Sequence, residues 1–502
     1  MSEPLYERSV PVIVWFRNDL RLADNPALTA AIATGAPVVC IYIWSPEEEG
    51  GWPPGAASRW WLHHSLVSLS NALSKLGARL IIRRGLTNAQ LIELADRTGA
   101  RRVFWNRRPE PAAIEQEQQV GRCLKAKGCT WESFGGCMLF GPERIRTRSG
   151  SPFQVFTPFF KACKSAGMDT HVIAEPHEIS AWHNYGHGDG IGDGELTSLS
   201  VDALRLLPSI DWAGGMRNAW NPGEAEAQSR LAEFMDQSVD DYQAGRDFPA
   251  VAGVSRLSPA LHFGEISPRQ AVAAAIKRRE FLVDSGRDTG SVDGFIRQVH
   301  WREFAYHLLI HFPHTVEAPL RAEFAEFPWS CDAEAFSAWT RGRTGYPFVD
   351  AGMRELWTTG YMHNRVRMVA SSFLVKDLLI SWQEGARWFW DTLVDADLAN
   401  NTLGWQWVAG CGADAAPYFR IFNPVTQGEK FDPSGEYIRK WLPDLAEAAP
   451  ADINCPWTGI SGLFALENAE ETDCYPSPII QHDFARTRAL AALQKVKEST
   501  GK

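Results

Sequence analysis

Short apolar runs alternate with helical patterns over the first 136 residues, and this alternation constrains the fold most. The apolar runs predict strands at residues 12–16, 36–44, 79–83, 102–105 and 130–134. Helical periodicity lies between them, at residues 58–76, 88–98 and 112–127. Strands that are apolar throughout are typical of a parallel sheet covered on both faces. We therefore predict a doubly wound α/β domain over residues 1–136. No GxGxxG motif opens its first helix, so that type of dinucleotide site is not expected.

The remainder of the chain predicts a connector followed by helices. Residues 137–220 are rich in Gly, Pro and Ser and predict an irregular interdomain linker, with an exposed loop at Asn184–Glu195. From about residue 224 the pattern is helical, and an amphipathic helix begins near residue 480. We predict an all-helical domain over residues 221–502.

Composition limits the classes of function. The 9 cysteines lack the spacing of zinc ligands or of a disulfide framework, so we expect free thiols and no metal. No apolar run approaches the roughly 18 residues that cross a membrane. The N-terminus lacks a signal-peptide pattern, so we expect a cytoplasmic protein without a membrane partner. The net charge of -10 disfavours nucleic-acid binding overall, although a local basic face can bind phosphates on an acidic protein.

The segment Asp395 to Pro424, DADLANNTLGWQWVAGCGADAAPYFRIFNP, has an unusual composition. It combines carboxylates, adjacent amides and tryptophans, whereas a core helix is aliphatic and periodic. Flat rings beside polar groups suit a pocket for a large planar ligand. From composition alone, a buried aromatic helix with satisfied polar groups is an equally good interpretation.

This segment resembles the flavin- and lesion-binding core of the photolyase/cryptochrome family. The resemblance begins at WFRNDLRL (Trp15–Leu22) and extends through QGEKFD (Gln427–Asp432), and it is strongest to bacterial cyclobutane pyrimidine dimer photolyases of class I or class III. It implies an antenna-binding α/β domain and a helical domain that binds FAD and DNA. The implied function is light-driven repair of pyrimidine dimers in DNA, in which excited reduced FAD passes an electron to the flipped-out lesion.

The resemblance assigns FAD contacts to the helical domain. They are Tyr242, Ser255, Arg256, Leu257, Ser258, Arg302, Asn364, Arg367, Asp395, Asp397 and Asn401. Taken alone, Ser258 before a proline is more simply a helix N-cap. Val254 replaces a frequent Thr, which removes one hydroxyl near the phosphates. Arg367 and Asp395 predict a buried ion pair, because isolated buried charges are costly.

Asn401 matches the position that faces flavin N5. A neutral amide there is similar to photolyases, whereas plant cryptochromes have Asp and animal ones have Cys, so Asn401 favours repair. Trp405, Trp382 and Trp329 match the family's three-tryptophan electron chain, although each alone is more simply a core residue. Trp388 and Trp390 could form a branch and are otherwise core residues.

The resemblance assigns lesion and DNA contacts to a further set of residues. They are Arg246, Gln298, Trp301, Asn364, Arg365, Met368, Trp407, Arg420, Gln427 and Lys430. Trp301 and Trp407 match the two walls of the lesion pocket, where flat rings replace lost base stacking. The four basic residues of the set match phosphate-facing positions. Asn364 and Met368 stand where animal (6-4) photolyases have His, which favours cyclobutane dimers.

Two residues depart from the family pattern. Gln298, assigned a catalytic role, stands where cyclobutane-dimer photolyases usually have Glu. It can still bond a pyrimidine edge but carries no charge. Tyr361 replaces a usual Trp.

The antenna site is predicted only from strand ends, with Trp44, Asn106, Arg107 and Glu110 as candidates. Its ligand could be methenyltetrahydrofolate or a deazaflavin, or the site could be empty. We expect a monomer. The alternative function is a cryptochrome-like blue-light photoreceptor that uses flavin photoreduction through the tryptophan chain. A light-independent flavoprotein oxidoreductase is a weaker alternative, because no nicotinamide site is evident.

Overall fold

The computed structural model describes residues 10–182, 196–418, 420–458 and 475–499. Its N-terminal part is an α/β domain with five parallel strands and four helices. The strands are β1 (Val12–Phe16), β2 (Val38–Trp44), β3 (Leu80–Arg84), β4 (Arg102–Asn106) and β5 (Thr130–Phe134). The helices are α1 (Pro26–Ala33), α2 (Ala56–Lys75), α3 (Thr87–Thr98) and α4 (Pro111–Ala126). The strand order is β3-β2-β1-β4-β5, with every neighbouring pair parallel. The predicted doubly wound sheet is confirmed.

The two faces of the sheet bury alternate residues of β1. Val12, Val14 and Phe16 pack into one apolar cluster, while Ile13 and Trp15 pack into another. Successive side chains of a strand point to opposite faces, so a central strand covered on both sides must be apolar throughout.

The connector contains more structure than its composition predicts. Helices α5 (Phe156–Ala166) and α6 (Gly214–Ala219) lie within residues 137–220. Ala181 forms an isolated parallel bridge with Val38 beside β2. The expectation of a wholly irregular linker is therefore wrong for residues 156–166, which carry aromatic residues at helical spacing. The predicted loop Asn184–Glu195 lies outside the described residues.

The C-terminal part is helical, as the sequence predicts. Its α-helices are α7 (Glu224–Gln237), α8 (Tyr242–Gly245), α9 (Ser258–His262), α10 (Pro268–Asp284), α11 (Gly290–His311), α12 (Ala333–Thr340), α13 (Pro347–Thr359), α14 (Asn364–Ser372), α15 (Trp382–Thr392), α16 (Leu398–Ala409), α17 (Pro424–Phe431), α18 (Glu436–Trp441) and α19 (His482–Ser499). A π-helical segment, Phe373–Asp377, follows α14. The largest apolar cluster lies here and includes α13 to α16. No helix among the described residues is long and apolar enough to cross a membrane.

The loop after β1 joins the two domains. Arg21 is almost fully buried, and its guanidinium donates to the carbonyls of Asp24, Gly136 and Gly264. Gly264 approaches this loop so closely that a Cβ there would lie 2.1 Å from the carbonyl oxygen of Asn18. The polar residues after β1 therefore dock the α/β domain on the helical domain.

Candidate functional site

Helix α16 provides the framework of the site. It packs against α11, α14 and α15. Asp397 caps its N-terminus by accepting from the Asn400 backbone N–H at 2.9 Å. Asn401 and Trp405 are four residues apart on this helix, so they share one face, and Trp407 lies a half-turn further along. One rigid element thus carries three of the predicted functional residues.

The predicted ion pair lies just before this helix. Arg367 Nη2 is 3.0 and 2.9 Å from the two oxygens of Asp395, and Ser258 Oγ donates to Asp395 Oδ2 at 2.6 Å. Arg367 Nε also donates to the carbonyl of Met362 at 2.6 Å. The Asp395 side chain is only 3% exposed, so this pairing is what makes its charge tolerable in the interior. Ser258, predicted as a phosphate contact or N-cap, instead bonds this carboxylate.

Asp397 is ionised in a buried setting. Burial opposes its charge, but His262, Arg302 and Tyr306 outweigh that effect and hold the pKa of Asp397 well below its usual range. The Tyr306 hydroxyl donates to the carboxylate, and the Asn400 side chain donates to it at 2.7 Å. Protein donors thus already occupy much of the acceptor capacity of this predicted FAD contact.

Arg302 is held by the protein itself. Its guanidinium donates to the carbonyls of Cys137 at 2.7 Å and Leu261 at 3.2 Å, and it stacks on Tyr306 with 4.7 Å to the ring centroid. It links the end of the α/β domain to α9. Its predicted role near the phosphates stays a prediction.

Arg256 has the features of an anion-binding residue. Its guanidinium lies 4.1 Å from the Trp220 ring centroid and 5.2 Å from that of Tyr361. Its Nε is buried and has no hydrogen-bond partner in the described part of the chain. Burial lowers the pKa of Arg256, so an added negative charge there would be stabilising. The adjacent Ser255 hydroxyl and this free donor fit the pyrophosphate of a dinucleotide such as FAD.

Three other predicted FAD contacts have distinct environments. Tyr242 and Leu257 are buried in a satellite apolar cluster, where the Tyr242 ring packs against Phe234 and Phe295. Asn364 is exposed at the start of α14. Leu257 therefore contributes apolar packing and not a polar contact.

Asn401 and Trp405 pack against the neighbouring helix α15. Asn401 Nδ2 donates to the carbonyl of Ala386 at 3.0 Å. Trp405 is 2% exposed and sits directly over Gly385, where a Cβ would lie 2.1 Å from its Cη2 atom. Phe389 makes an edge contact with Trp405 at 5.0 Å. The absence of a side chain at Gly385 is therefore what allows the indole to fit between the two helices.

The other two predicted electron carriers lie in different environments. Trp382 begins α15 and is buried in the main cluster. Trp329 is partly buried, and its ring centroid lies 4.3 Å from that of Phe327.

A series of ring contacts that differs from the predicted three-tryptophan chain leads from Trp405 to the surface. Its rings are those of Trp405, Trp339, Phe336, Trp388 and Trp357, with successive centroids 6.3, 5.9, 6.4 and 6.0 Å apart. Trp357 is 65% exposed. Trp388 thus lies on a continuous aromatic path. Trp390, the other possible branch residue, instead donates its indole N–H to the Pro53 carbonyl at 2.7 Å.

The predicted lesion walls lie on two packed helices. Trp301 is on α11 and Trp407 on α16, and both are partly buried. Gln298 precedes Trp301 by one helical turn and shares its face. Phe156 of α5 stacks on Trp301 with ring centroids 3.7 Å apart and an interplanar angle of 8°. No role for Phe156 was predicted from the sequence.

Three of the four predicted phosphate-facing residues lie close together, near the carboxylate of Asp247, which was not predicted. Asp247 pairs with Arg365 at 2.8 Å and lies 3.8 Å from Arg246 Nε. Arg365 and Lys430 both lie over the Phe431 ring, at 4.3 and 5.1 Å from its centroid. These contacts bring the three basic residues together, and Asp247 offsets part of their charge.

Of the remaining predicted DNA contacts, Met368 touches this group and the others have separate environments. Met368 contacts Arg365 and Asn364 through its sulfur, at 4.0 and 3.8 Å. Gln427 is half-buried on α17. Arg420 is exposed, and its carbonyl accepts from the buried Lys376 ammonium at 2.7 Å.

Two clefts adjoin the ends of the strands, and three of the four antenna candidates line them: Trp44 and Glu110 in one, Arg107 in the other. The interdomain cleft is lined by Trp44 and Glu110 and has a volume of about 70 Å³. Arg108 also lines this cleft, and it donates to Glu49 at 2.6 and 2.9 Å and to Glu110 at 3.3 Å. Asn106 is buried and donates to Asp19 at 2.6 Å, so it serves the loop after β1.

The flank cleft lies beside α4 and β5 and has a volume of about 770 Å³. Trp105, Trp131, Arg107, Arg122 and Arg269 are among its lining residues. The two indoles are stacked with centroids 5.2 Å apart, and Trp131 is 43% exposed. Small-molecule pockets occupy roughly 300–1,000 Å³, so this cleft has the size for an aromatic ligand.

Sequence reasoning missed residues that act through tertiary contacts. Phe156, Asp247, Tyr306 and Gly385 each touch a predicted functional residue from a distant segment. Only Phe156 had a local signal, since FQVFTPFF places aromatic residues at helical spacing.

Comparisons with known proteins show which family the chain resembles over its length. Residues 12–178 match the family described as DNA photolyase, and residues 295–495 match the FAD binding domain of DNA photolyase. A deoxyribodipyrimidine photo-lyase from Agrobacterium fabrum is 44% identical over 498 residues, covering 98% of this chain and 99% of that protein. Cryptochrome-1 from Arabidopsis thaliana is 37% identical over 490 residues, covering 96% of this chain and 70% of that protein. The crystal structure of a bacterial class III photolyase from Agrobacterium tumefaciens matches with a TM-score of 0.91 at 43% identity, covering 99% of both chains.

Proposed function

The chain belongs to the DNA photolyase and cryptochrome family, and from this premise we propose that it is a light-driven deoxyribodipyrimidine photo-lyase that repairs cyclobutane pyrimidine dimers in DNA. The observation that carries the proposal is the arrangement on α16. Asn401 and Trp405 share one face of this helix, Trp407 follows within a turn, and Asp397 fixes its start. A single rigid helix therefore connects the flavin side of the site to the lesion side.

The protein binds FAD, and its residues provide the setting for that cofactor. When bound and reduced, FAD supplies under light the electron that opens the cyclobutane ring. We assign Ser255 and Arg256 to the pyrophosphate, because a buried donor without a partner stabilises an anion. The Arg367–Asp395 pair supports the ring region without adding net charge. Asn401 presents a neutral amide, which avoids repulsion of an anionic reduced flavin.

The lesion side receives a dimer that has left the duplex. Trp301 and Trp407 offer flat apolar surfaces that compensate for the loss of stacking. Gln298 lies one turn from Trp301 and offers both donors and an acceptor to the pyrimidine edges. We assign contacts with the DNA backbone to Arg246, Arg365, Arg420, Gln427 and Lys430. Asn364 and Met368 lie beside the lesion in this proposal.

The antenna chromophore is assigned to the flank cleft. The interdomain cleft, with a volume of about 70 Å³, is smaller than the roughly 300–1,000 Å³ of ordinary small-molecule pockets. The flank cleft offers stacked indoles and arginines, which suit a planar anionic ligand such as methenyltetrahydrofolate.

The test of the antenna site is to reconstitute the protein with methenyltetrahydrofolate and follow its near-ultraviolet absorption after gel filtration. Trp131→Ala should lose the chromophore, and Tyr42→Phe in the interdomain cleft should retain it. The reverse pattern would move the site to the interdomain cleft.

We further propose that the protein acts as a monomer in the cytoplasm. A single chain contains both lesion walls and the FAD contacts. Sedimentation at concentrations around those of the repair assay checks the monomer, and a stable dimer would contradict it.

The decisive experiment measures repair directly. The purified holoprotein, reduced before use, is incubated with an oligonucleotide that carries one thymine dimer, under blue light and in the dark. We expect light-dependent restoration of thymine, and loss of activity in Trp407→Ala with flavin retained. Flavin photoreduction without any dimer loss would overturn the assignment and favour the photoreceptor, which the similarity to Cryptochrome-1 makes the second candidate.

A further inference from the structure

The wall residue Trp301 is held in place by a stack of rings from the connector. Phe156 is fully buried, and its ring lies nearly parallel to the Trp301 ring with centroids 3.7 Å apart. Phe160 stacks on Phe156 at 5.7 Å and 12°, and the Arg297 guanidinium lies 5.4 Å from the Phe156 centroid. One face of the Trp301 indole is therefore covered by a fixed aromatic stack, which restricts the plane that the indole can adopt.

The same connector helix is bonded to the chain that follows Trp407. The backbone N–H of Phe156, the first residue of α5, donates to Asp414 Oδ2 at 3.2 Å. Asp414 lies in the loop after α16 and adopts a left-handed backbone conformation with φ of 46°. Asp and Asn are the residues that enter this region most readily after glycine. A carboxylate at a helix N-terminus is also favoured by the helix dipole.

The core around α5 supports the same connection. Phe156, Phe159 and Ala413 belong to one buried cluster, against which Trp301 and Leu403 pack. Leu403 is on α16, and Ala413 precedes Asp414. Helix α5 thus contacts α11, which carries Trp301, and the loop that follows α16, the helix that carries Trp407.

We propose that Phe156 and Asp414 are positioning residues for the lesion pocket, so that α5 sets the orientation of Trp301 relative to Trp407. This inference rests on the proposed repair function. Phe156 is fully buried, so it acts on the lesion only through Trp301. A wall that is already oriented loses less conformational freedom when a dimer binds, and this pre-organisation favours the damaged base over an intact duplex.

The test uses Phe156→Leu and Asp414→Ala in the full-length holoprotein. Dissociation constants are measured for one oligonucleotide with a thymine dimer and for the same oligonucleotide undamaged, at several salt concentrations. We expect Phe156→Leu to weaken dimer binding by about three- to tenfold, the range that an aromatic pair contributes. Binding of undamaged DNA and its salt dependence should not change, because backbone contacts are untouched. The repair rate at saturating DNA should remain close to that of the unmodified protein.

Phe159→Leu is the matched control. Phe159 is equally buried on α5 and packs against Phe304 and His307, at 5.2 and 5.0 Å, so the substitution removes similar volume without a ring contact to Trp301. It should keep the preference for dimer DNA. Asp414→Asn should also keep it, because Asn retains an acceptor and tolerates the left-handed conformation.

Each outcome decides the inference. Dimer binding unchanged in both variants, or equal weakening with damaged and undamaged DNA, would overturn it. If Phe156→Leu fails to fold or to retain flavin, Asp414→Ala decides, since it leaves the ring stack intact. Failure of the unmodified protein to repair dimers would refute the proposed function. Repair by the unmodified protein, together with unaltered dimer binding in the variants, would refute only the positioning role.

Discussion

Gly385→Ala tests the contact on which the flavin side of the site depends. The added Cβ would lie 2.1, 2.4 and 2.6 Å from three ring atoms of Trp405. An ordinary carbon contact is about 3.5–4.0 Å, so the indole or α15 must move by about 1.4 Å. Phe389 and Trp339 enclose the ring on other sides, at 5.0 and 6.3 Å, and leave it little room to rotate.

The energetic cost follows from this displacement. Overpacking of a buried site costs about 1–3 kcal/mol. The better helix propensity of Ala offsets up to about 1 kcal/mol of that cost. Since Asn401 bonds the carbonyl of Ala386, the residue next to Gly385, the strain also reaches the amide that we propose to face the flavin. We therefore expect lower flavin occupancy and slower photoreduction, in addition to lower stability.

The assay compares three readouts with a control on the same helix. Flavin content after gel filtration, the urea concentration that releases flavin, and the rate of flavin photoreduction are measured for Gly385→Ala and Glu384→Ala. Glu384 is exposed, so its truncation adds no atoms near Trp405. The reasoning is refuted if Gly385→Ala matches the unmodified protein in all three readouts, or if both variants are impaired equally.

Three further predictions concern charge, pH and electron supply. Arg367→Met leaves the Asp395 carboxylate buried without its partner and should cost about 3–5 kcal/mol, seen as lost flavin and a lower unfolding midpoint. Arg367→Lys should retain more of both. Burial raises the pKa of Glu265 to about 7. The protonated side chain therefore contributes its full stability below the pKa that Glu265 has in the unfolded chain, and this contribution is lost as pH rises through 7. Glu265→Gln should flatten that decline, by about 1–3 kcal/mol at pH 8, in urea unfolding at several pH values. Trp405→Phe should slow flavin photoreduction by at least about tenfold, equivalent to about 1.4 kcal/mol on the barrier, while protein reduced beforehand still repairs dimers. Unchanged photoreduction would remove Trp405 from the electron path.

The sequence predicts the architecture well where one local pattern determines burial. The strand of Val12–Phe16 is central and covered on both faces, so all its residues are apolar and its position in the sheet follows. The connector helix Phe156–Ala166 was missed because the Gly, Pro and Ser of its surroundings outweighed the spacing of its aromatic residues. Composition averaged over a long segment therefore concealed one helix that has a specific packing role.

Only some of the contacts made by the predicted site residues could be predicted from the sequence. The Arg367–Asp395 pair followed from the cost of an isolated buried charge. Asp247 did not, because its pairing with Arg365 joins segments more than a hundred residues apart in sequence, and no local pattern encodes it. Likewise Arg302 matched a phosphate contact by motif, while its donors bind the carbonyls of Cys137 and Leu261.

Three separate contacts hold helix α16 in place. Because they are separate, we expect that the flavin side and the lesion side of the site can be altered independently. Asp397 fixes its N-terminus, Gly385 sets its distance from α15, and Asp414 ties the chain after its C-terminus to α5. The first two contacts lie beside Asn401 and Trp405, which we assign to the flavin side, and the third holds Phe156, which stacks on the proposed lesion wall Trp301. Contacts that are distant and share no partner contribute independently to stability and binding. Changes at Gly385 should therefore alter flavin photoreduction and changes at Asp414 should alter dimer recognition, although one helix carries both sets of residues.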